Sequence, residues 1–218
     1  MYAHLLKELG KYGRFEETDT RKIYIPNNKN QVILVVIDHI ALMRKDKGRT
    51  KKEEIDLASN YLVTLRNRCG ISPLILMQMN RGSSSMARRN AGFQEPQLDD
   101  IKDSGGPSED AEIVLAVFHP HREKLVTYKD YKIKGMLENT FRAIIVLKNR
   151  YGDTDVSIGN GFYGNIGVWK ELPRGKEIND YEPYLTLNGR PEQVKDEIIK
   201  KDTPVEIDNS EKNYQFVM

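Results

Sequence analysis

With 218 residues, 39% hydrophobic and 30% charged, the chain has the make-up of a soluble globular protein of one domain with extensions, long enough to bury a core. A formal charge of +2 singles out no nucleic-acid binder, and one cysteine, Cys69, excludes an internal disulfide and suits a reducing, cytoplasmic compartment. No stretch approaches the roughly 18 apolar residues that span a membrane, and the charge is uneven: Arg174–Met218 holds 7 Lys/Arg against 10 Asp/Glu, leaving −3 there and +5 elsewhere.

Residues 1–30 form a lead-in, with a short amphipathic helix around Leu5–Leu9, a polar stretch from Phe15 to Asn30, and a turn signal at Pro26-Asn-Asn-Lys-Asn30. Gln31–Met43, QVILVVIDHIALM, is the strongest signal in the chain. Its Val- and Ile-rich run lacks polar alternation, which predicts a strand buried on both faces. The run stops abruptly at Asp38. Ligands of parallel α/β sheets collect at the carboxyl ends of strands, so Asp38 is placed to meet a nucleotide and its Mg²⁺. The same residue could equally cap the helix that follows.

After Met43, the run RKDKGRTKKEE predicts a solvated connection. Ile55, Leu57, Ala58, Leu62 and Leu65 recur at helical spacing, predicting a helix over about Lys52–Arg68 that Gly70 stops. Pro73–Met77 predicts a second buried strand ending in Gln78, Asn80 and Arg81, which completes a right-handed βαβ unit. Arg81–Pro96 has no period, three arginines (Arg81, Arg88, Arg89) and two glycines. It reads as a mobile basic loop that either touches phosphates or is merely solvated. Leu98–Lys102 reads as a helical turn, Ser104-Gly105-Gly106-Pro107 as a bend whose N–H groups could face an anion, and Ile113–Phe118 as a third strand.

His119-Pro-His121 lacks further ligands at metal spacing and reads as surface loop, while His4 and His39 stand isolated. Tyr128–Asn139 reads as charged and irregular. A fourth strand, Ala143–Leu147, leads through Lys148-Asn-Arg150-Tyr-Gly-Asp153 to a return strand near Val156–Ile158, a hairpin with two cations at its tip. Phe162–Trp169 reads as a last, aromatic strand. Residues 174–218 form an acidic tail with a helix over Pro191–Lys200 and a partly disordered end.

Taken in order, these motifs resemble the C-terminal RecA-like motor domain of the DnaB-like replicative helicase family. Ile37-Asp-His-Ile-Ala-Leu-Met43 is similar to its strand ending Asp-Tyr-Leu-Gln-Leu-Met, and Met77-Gln-Met-Asn-Arg81 to its sensor strand ending Ser-Gln-Leu-Asn-Arg. Asp100-Ile-Lys-Asp-Ser-Gly105, followed by Glu109-Asp-Ala-Glu-Ile-Val114, resembles Asp-Leu-Arg-Glu-Ser-Gly and its following Asp-Ala-Asp strand. Lys148-Asn-Arg-Tyr-Gly152 resembles Lys-Gln-Arg-Asn-Gly. The likeness runs from about Gln31 to Pro173. It implies an α/β, partial RecA-like fold of the P-loop NTPase type: three layers, a mainly parallel central sheet and a C-terminal β-hairpin. The chain would divide into a lead-in (1–30), the motor part (31–173) and the tail (174–218).

By that resemblance, ATP and Mg²⁺ are the cofactors, with Asp38 holding the metal through water and Gln78 sensing the γ-phosphate. Lys148 and Arg150 would reach into a neighbouring subunit's site. The Arg81–Pro96 and Lys102–Gly106 loops, with Arg81, Arg88, Arg89, Lys102, Asp103 and Gly105, would face single-stranded DNA in the channel of a hexameric ring. The intact assembly would translocate on that strand and unwind duplex. Departures are as informative. No Gly-x-x-x-x-Gly-Lys-Ser/Thr occurs anywhere in the chain, the catalytic glutamate expected after it is missing too, His39 replaces a Tyr, and Pro107 alters the bend after Gly106. The chain is expected to be the latter part of a motor whose phosphate-loop half comes from elsewhere. The competing expectation is a catalytically inactive RecA-like DNA-binding or ring-assembly module.

Overall fold

In the computed structural model of the chain, residues 1–17, 22–44, 46–80, 88, 92, 94–101, 105–185 and 214–216 are described. In chain order the elements begin with α1 (Tyr2–Leu9), β1 (Gly13–Glu17), β2 (Lys22–Pro26), β3 (Val32–Ile37), α2 (Lys51–Cys69), β4 (Ser72–Ile75) and α3 (Gly106–Asp110). Next come β5 (Ile113–Phe118), β6 (Thr127–Tyr128), β7 (Tyr131–Lys132), β8 (Phe141–Asn149), β9 (Ser157–Tyr163) and β10 (Val168–Glu171). The last are α4 (Glu182–Leu185) and β11 (Tyr214–Phe216). The chain is mixed α/β, and its described residues fall into two compact units. No helix among them is long and apolar enough to cross a membrane.

The first unit gathers Met1–Asn80, Ile101–Ala111 and β11. α2 is its organiser. Thr50 opens the helix with a capping box: its hydroxyl accepts from the Glu53 amide at 3.2 Å while the Glu53 carboxylate accepts from the Thr50 amide at 2.6 Å. Gly70 closes it in the left-handed region, φ 69°. The buried stripe of α2 covers the sheet in two places. Leu65 packs with Leu9 and Ile71 against Ile33 and Val35, and Ile55 and Ala58 pack with Ile40 against Ile37, Ile75 and Met77.

Beneath α2 the sheet runs β11-β3-β4, parallel throughout. Among the described residues only the face under α2 is covered; Val32, Val36, Leu74 and Leu76 on the alternate positions are exposed. The sequence expectation of a strand buried on both faces is therefore corrected: β3 and β4 carry two apolar faces but one cover. The stretch that reads as merely polar is an antiparallel hairpin, β1–β2. Phe15 stands opposite Tyr24 with ring centroids 5.1 Å apart, and the charges of Arg14 and Glu16 on the alternate positions mask this pattern in the sequence.

The second unit is an antiparallel sheet ordered β10-β9-β8-β5. The four strands read from the sequence are thus hydrogen-bonded in two sheets, with β3 and β4 parallel in one and β5 and β8 antiparallel in the other. Phe118, Phe141, Ala143 and Ile145 form the sheet side of its core. Tyr128, Tyr131, Ile133 and Leu137 supply the other side, a correction to the reading of Tyr128–Asn139 as irregular. That segment folds as the β6–β7 ribbon and tight turns, too short for any period to show. The Tyr131 ring lies tilted against Phe141, centroids 4.7 Å apart, and fills the space beside Gly159, where a Cβ would come within 2.5 Å of it. Phe162–Trp169 is likewise a hairpin rather than one strand: Phe162 of β9 faces Trp169 of β10, ring centroids 4.8 Å apart. The helix expected over Pro191–Lys200 lies outside the described residues.

Candidate functional site

The parallel register of β3 and β4 decides where Asp38 and Gln78 stand. Val36 pairs with Leu74 and Ile37 with Ile75. The pairing continues beyond the strands: the Leu76 amide donates to the Ile37 carbonyl at 2.9 Å and the Ile40 amide to the Leu76 carbonyl at 3.2 Å. Asp38 therefore lies opposite Leu76, and Gln78 follows two residues on. Alternation puts Val36, Asp38, Leu74, Leu76 and Gln78 on the one face that α2 does not cover, and all five are exposed. Two polar side chains thus share the carboxyl end of two adjacent parallel strands on an open apolar surface.

Next to Asp38 stands His39, which reads as isolated in the sequence. Its Nδ1 is shielded from solvent and has no hydrogen-bond partner among the described residues. Only adjacency to Asp38 could have marked it. Beyond Gln78 the chain is tied back to the same unit: Met79 bridges Ile101, and α3 lies on α2, where Ser59 donates to the Asp110 carboxylate at 2.6 Å. Gly105, expected in an anion-facing bend, caps α3 through its carbonyl, which accepts from the Glu109 amide at 3.0 Å and from the Ser108 hydroxyl at 2.7 Å. Lys102 and Asp103 lie outside the described residues, as do Arg81 and Arg89.

Arg88 is described, and it is half-buried. Its guanidinium pairs with Asp100 and donates to the Glu95 carbonyl at 2.9 Å, while Asp100 also accepts from the Gln97 amide at 2.8 Å. The cation holds its own segment together. At the β8–β9 turn, the two cations that read as a matched pair differ. Lys148 is half-buried within β8, opposite Val114, and already interacts within the chain. Arg150 is exposed just past the strand, its amide fixed to the Glu112 carbonyl at 2.9 Å. Asn149 shapes the turn by accepting from the Tyr151 amide at 3.1 Å.

Residues 16–165 match the family described as DnaB-like helicase C terminal domain. Two replicative DNA helicases DnaB of Helicobacter pylori, strains 26695 and J99, are 32% and 31% identical over 108 residues, 49% of this chain. Those 108 residues are 21% of the length of each relative. Among solved structures, an ATPase domain superposes with a TM-score of 0.52 at 20% identity, over 67% of this chain and 46% of that one. A DnaB-like replicative helicase, solved for its interactions with primase, gives 0.58 at 17% identity over 79% of this chain and 36% of its own. The fold these share with the chain is the RecA-like α/β one.

Proposed function

Because the chain belongs to the DnaB-like helicase C-terminal domain family, we propose that it is the latter part of an ATP-driven replicative DNA helicase motor, working in the cytoplasm as a hexameric ring on single-stranded DNA. What supports this reading is that Asp38 and Gln78 both lie exposed beyond the ends of two adjacent parallel strands. In this reading Asp38 orients a metal through water and Gln78 reports whether a γ-phosphate is present. Arg150, assisted by Lys148, serves a neighbouring subunit's nucleotide, where a planar guanidinium suits charge spread over phosphoryl oxygens. In the same reading Arg81, Arg89, Lys102, Asp103 and Gly105 face the strand, with Arg88, which pairs with Asp100, beside them.

A magnesium–nucleotide complex fits these residues in part. Among the described residues no group of three or more His, Cys, Asp or Glu could hold a metal unaided, but a lone exposed carboxylate is what Mg²⁺ uses when substrate phosphates and waters complete its shell. When bound, the ion would neutralise charge developing on the phosphates. The chain has no sequence to cradle those phosphates. The proposal therefore includes a second polypeptide segment that supplies the phosphate loop.

The test is complementation. Alone, the chain should hydrolyse ATP negligibly; mixed with the phosphate-loop half of a relative, it should gain turnover that Asp38→Ala abolishes. Steady hydrolysis by the isolated chain, unchanged in Asp38→Ala, would overturn the assignment. Assembly into DNA-bound rings without any gain in turnover would favour the inactive DNA-binding or ring-assembly module.

A further inference from the structure

Two apolar side chains stand furthest into solvent. Leu42 and Tyr151 are 71% and 70% exposed, more than any other large apolar side chain among the described residues. Each is carried on braced backbone. Leu42 ends a 3₁₀ turn, Ile40–Leu42, pinned from below by Ile40, which is buried with Ile55 and Ala58 of α2. The Leu42 and Met43 amides donate to the His39 and Ile40 carbonyls at 3.0 and 3.1 Å, and the Lys51 ammonium donates to the Met43 carbonyl. Tyr151 follows β8, where the Arg150 amide is fixed to the Glu112 carbonyl, and its own amide donates to the Asn149 side chain at 3.1 Å. The Asn149 side-chain amide in turn donates to the Asp153 carbonyl at 3.4 Å. Both turns are preformed, and preformed contact residues lose little freedom on association.

A single exposed apolar residue is ordinary on a protein surface. What marks this pair is position. Leu42 lies four residues after Asp38, and Tyr151 lies next to Arg150. Asp38 and Arg150 are the residues that the motor reading brings from neighbouring copies to one nucleotide, so their immediate neighbours border the same junction. The charges beside the two are opposite, an exposed carboxylate with Leu42 and an exposed guanidinium with Tyr151. Opposite charges favour this approach and disfavour the pairing of like surfaces. Tyr and Arg are also the side chains that most often dominate the energy of an interface.

We propose that Tyr151 of one copy packs against Leu42 of the next, an apolar contact that seats Arg150 beside the neighbour's Asp38. The partner is a second copy of this chain, and the contact rests on the reading in which Arg150 serves a neighbour's nucleotide. Because the two surfaces are unlike, each copy gives Tyr151 to one neighbour and Leu42 to the other. Such head-to-tail contacts close into a ring when the rotation allows. Tyr151 is a positioning residue, since it acts through Arg150 and touches no reacting atom.

Both side chains are exposed, so replacing them leaves the fold in place. The full chain carrying Cys69→Ser is prepared with Leu42→Cys and, separately, with Tyr151→Cys, and the two are mixed with the phosphate-loop half of a relative under a mild oxidant. A disulfide-linked dimer holding one chain of each kind is expected, with little product when Trp169→Cys replaces Tyr151→Cys. Without added cysteines, Tyr151→Ala and Leu42→Ala should each weaken ring assembly by about tenfold in sedimentation. The double variant should lose no more than either single one, and Tyr151→Phe should assemble normally. Absence of the mixed dimer, a yield matched by the Trp169→Cys control, or additive losses in the double variant would each overturn the contact. Arg150→Ala tells the contact apart from the motor reading. Lost turnover without a mixed dimer removes the contact and keeps the reading; a mixed dimer with turnover unchanged in Arg150→Ala keeps the contact and removes the reading.

Discussion

At the scale of single residues, Arg150 separates a motor from a passive binder. If its guanidinium serves a neighbour's nucleotide, Arg150→Ala in a reconstituted ring should cost ~10³–10⁵ in ATP turnover, and Arg150→Lys should fail nearly as badly because a point charge lacks the fork. DNA affinity should barely move. Tolerance of lysine, together with a shallower salt dependence of DNA binding for the alanine variant, would assign Arg150 to the strand instead. His119 gives a different readout. Burial, reinforced by Arg142, His121 and Arg122 and opposed by Glu123, lowers its pKa from 6.5 to about 4. The unfolded chain therefore takes up a proton near 6.5 that the folded chain refuses until about 4. Its contribution to stability is complete above 6.5 and is lost as pH falls through that window. Urea midpoints should drop between about pH 7.5 and pH 5, and His119→Gln should remove part of that drop. Asp38 was legible in the sequence because an apolar run stops at it. His119 and His39 were not, since what distinguishes them is an unpartnered buried nitrogen, which no spacing encodes.

At the scale of elements, α2 was the most legible because helical period and a terminal glycine agree, while the Thr50–Glu53 box that opens it emerged only in the structure. Thr50→Ala should lower stability by ~1 kcal/mol and Leu62→Ala, buried at mid-helix, by ~2–5 kcal/mol, both readable by chemical denaturation. A larger effect at Thr50 than at Leu62 would mean that the helix is not held by its buried stripe. The β1–β2 hairpin and the β6–β7 ribbon were illegible for opposite reasons. The first hides its alternation behind charges on the outward positions. The second packs four core residues into turns shorter than any period. Strand β3 misled in a third way: its composition records a face that wants covering, and nothing in a sequence window says whether the cover is present.

At the scale of the molecule, that uncovered surface sets solution behaviour. Val36 is 46% and Leu74 51% exposed on the face of β3 and β4 opposite α2, an apolar strand surface of the kind that drives association. The chain alone should associate as its concentration rises, and Val36→Lys combined with Leu74→Lys should reduce that association; light scattering that reports one monomer at all concentrations would refute this.

The placement of β11 has a consequence for synthesis. It pairs with Val32–Leu34 of β3, yet it lies beyond every strand of the second unit in sequence. Strands β5 to β10 are contiguous and can fold as soon as they leave the ribosome. The first unit cannot complete its sheet until translation has passed Phe216. The entropy of closing so long an interval grows only logarithmically with its length, but the delay grows in proportion to it. Throughout that delay the β3 edge is an open template for a foreign strand, so slow translation through the intervening segment should raise the nascent chain's demand for chaperones.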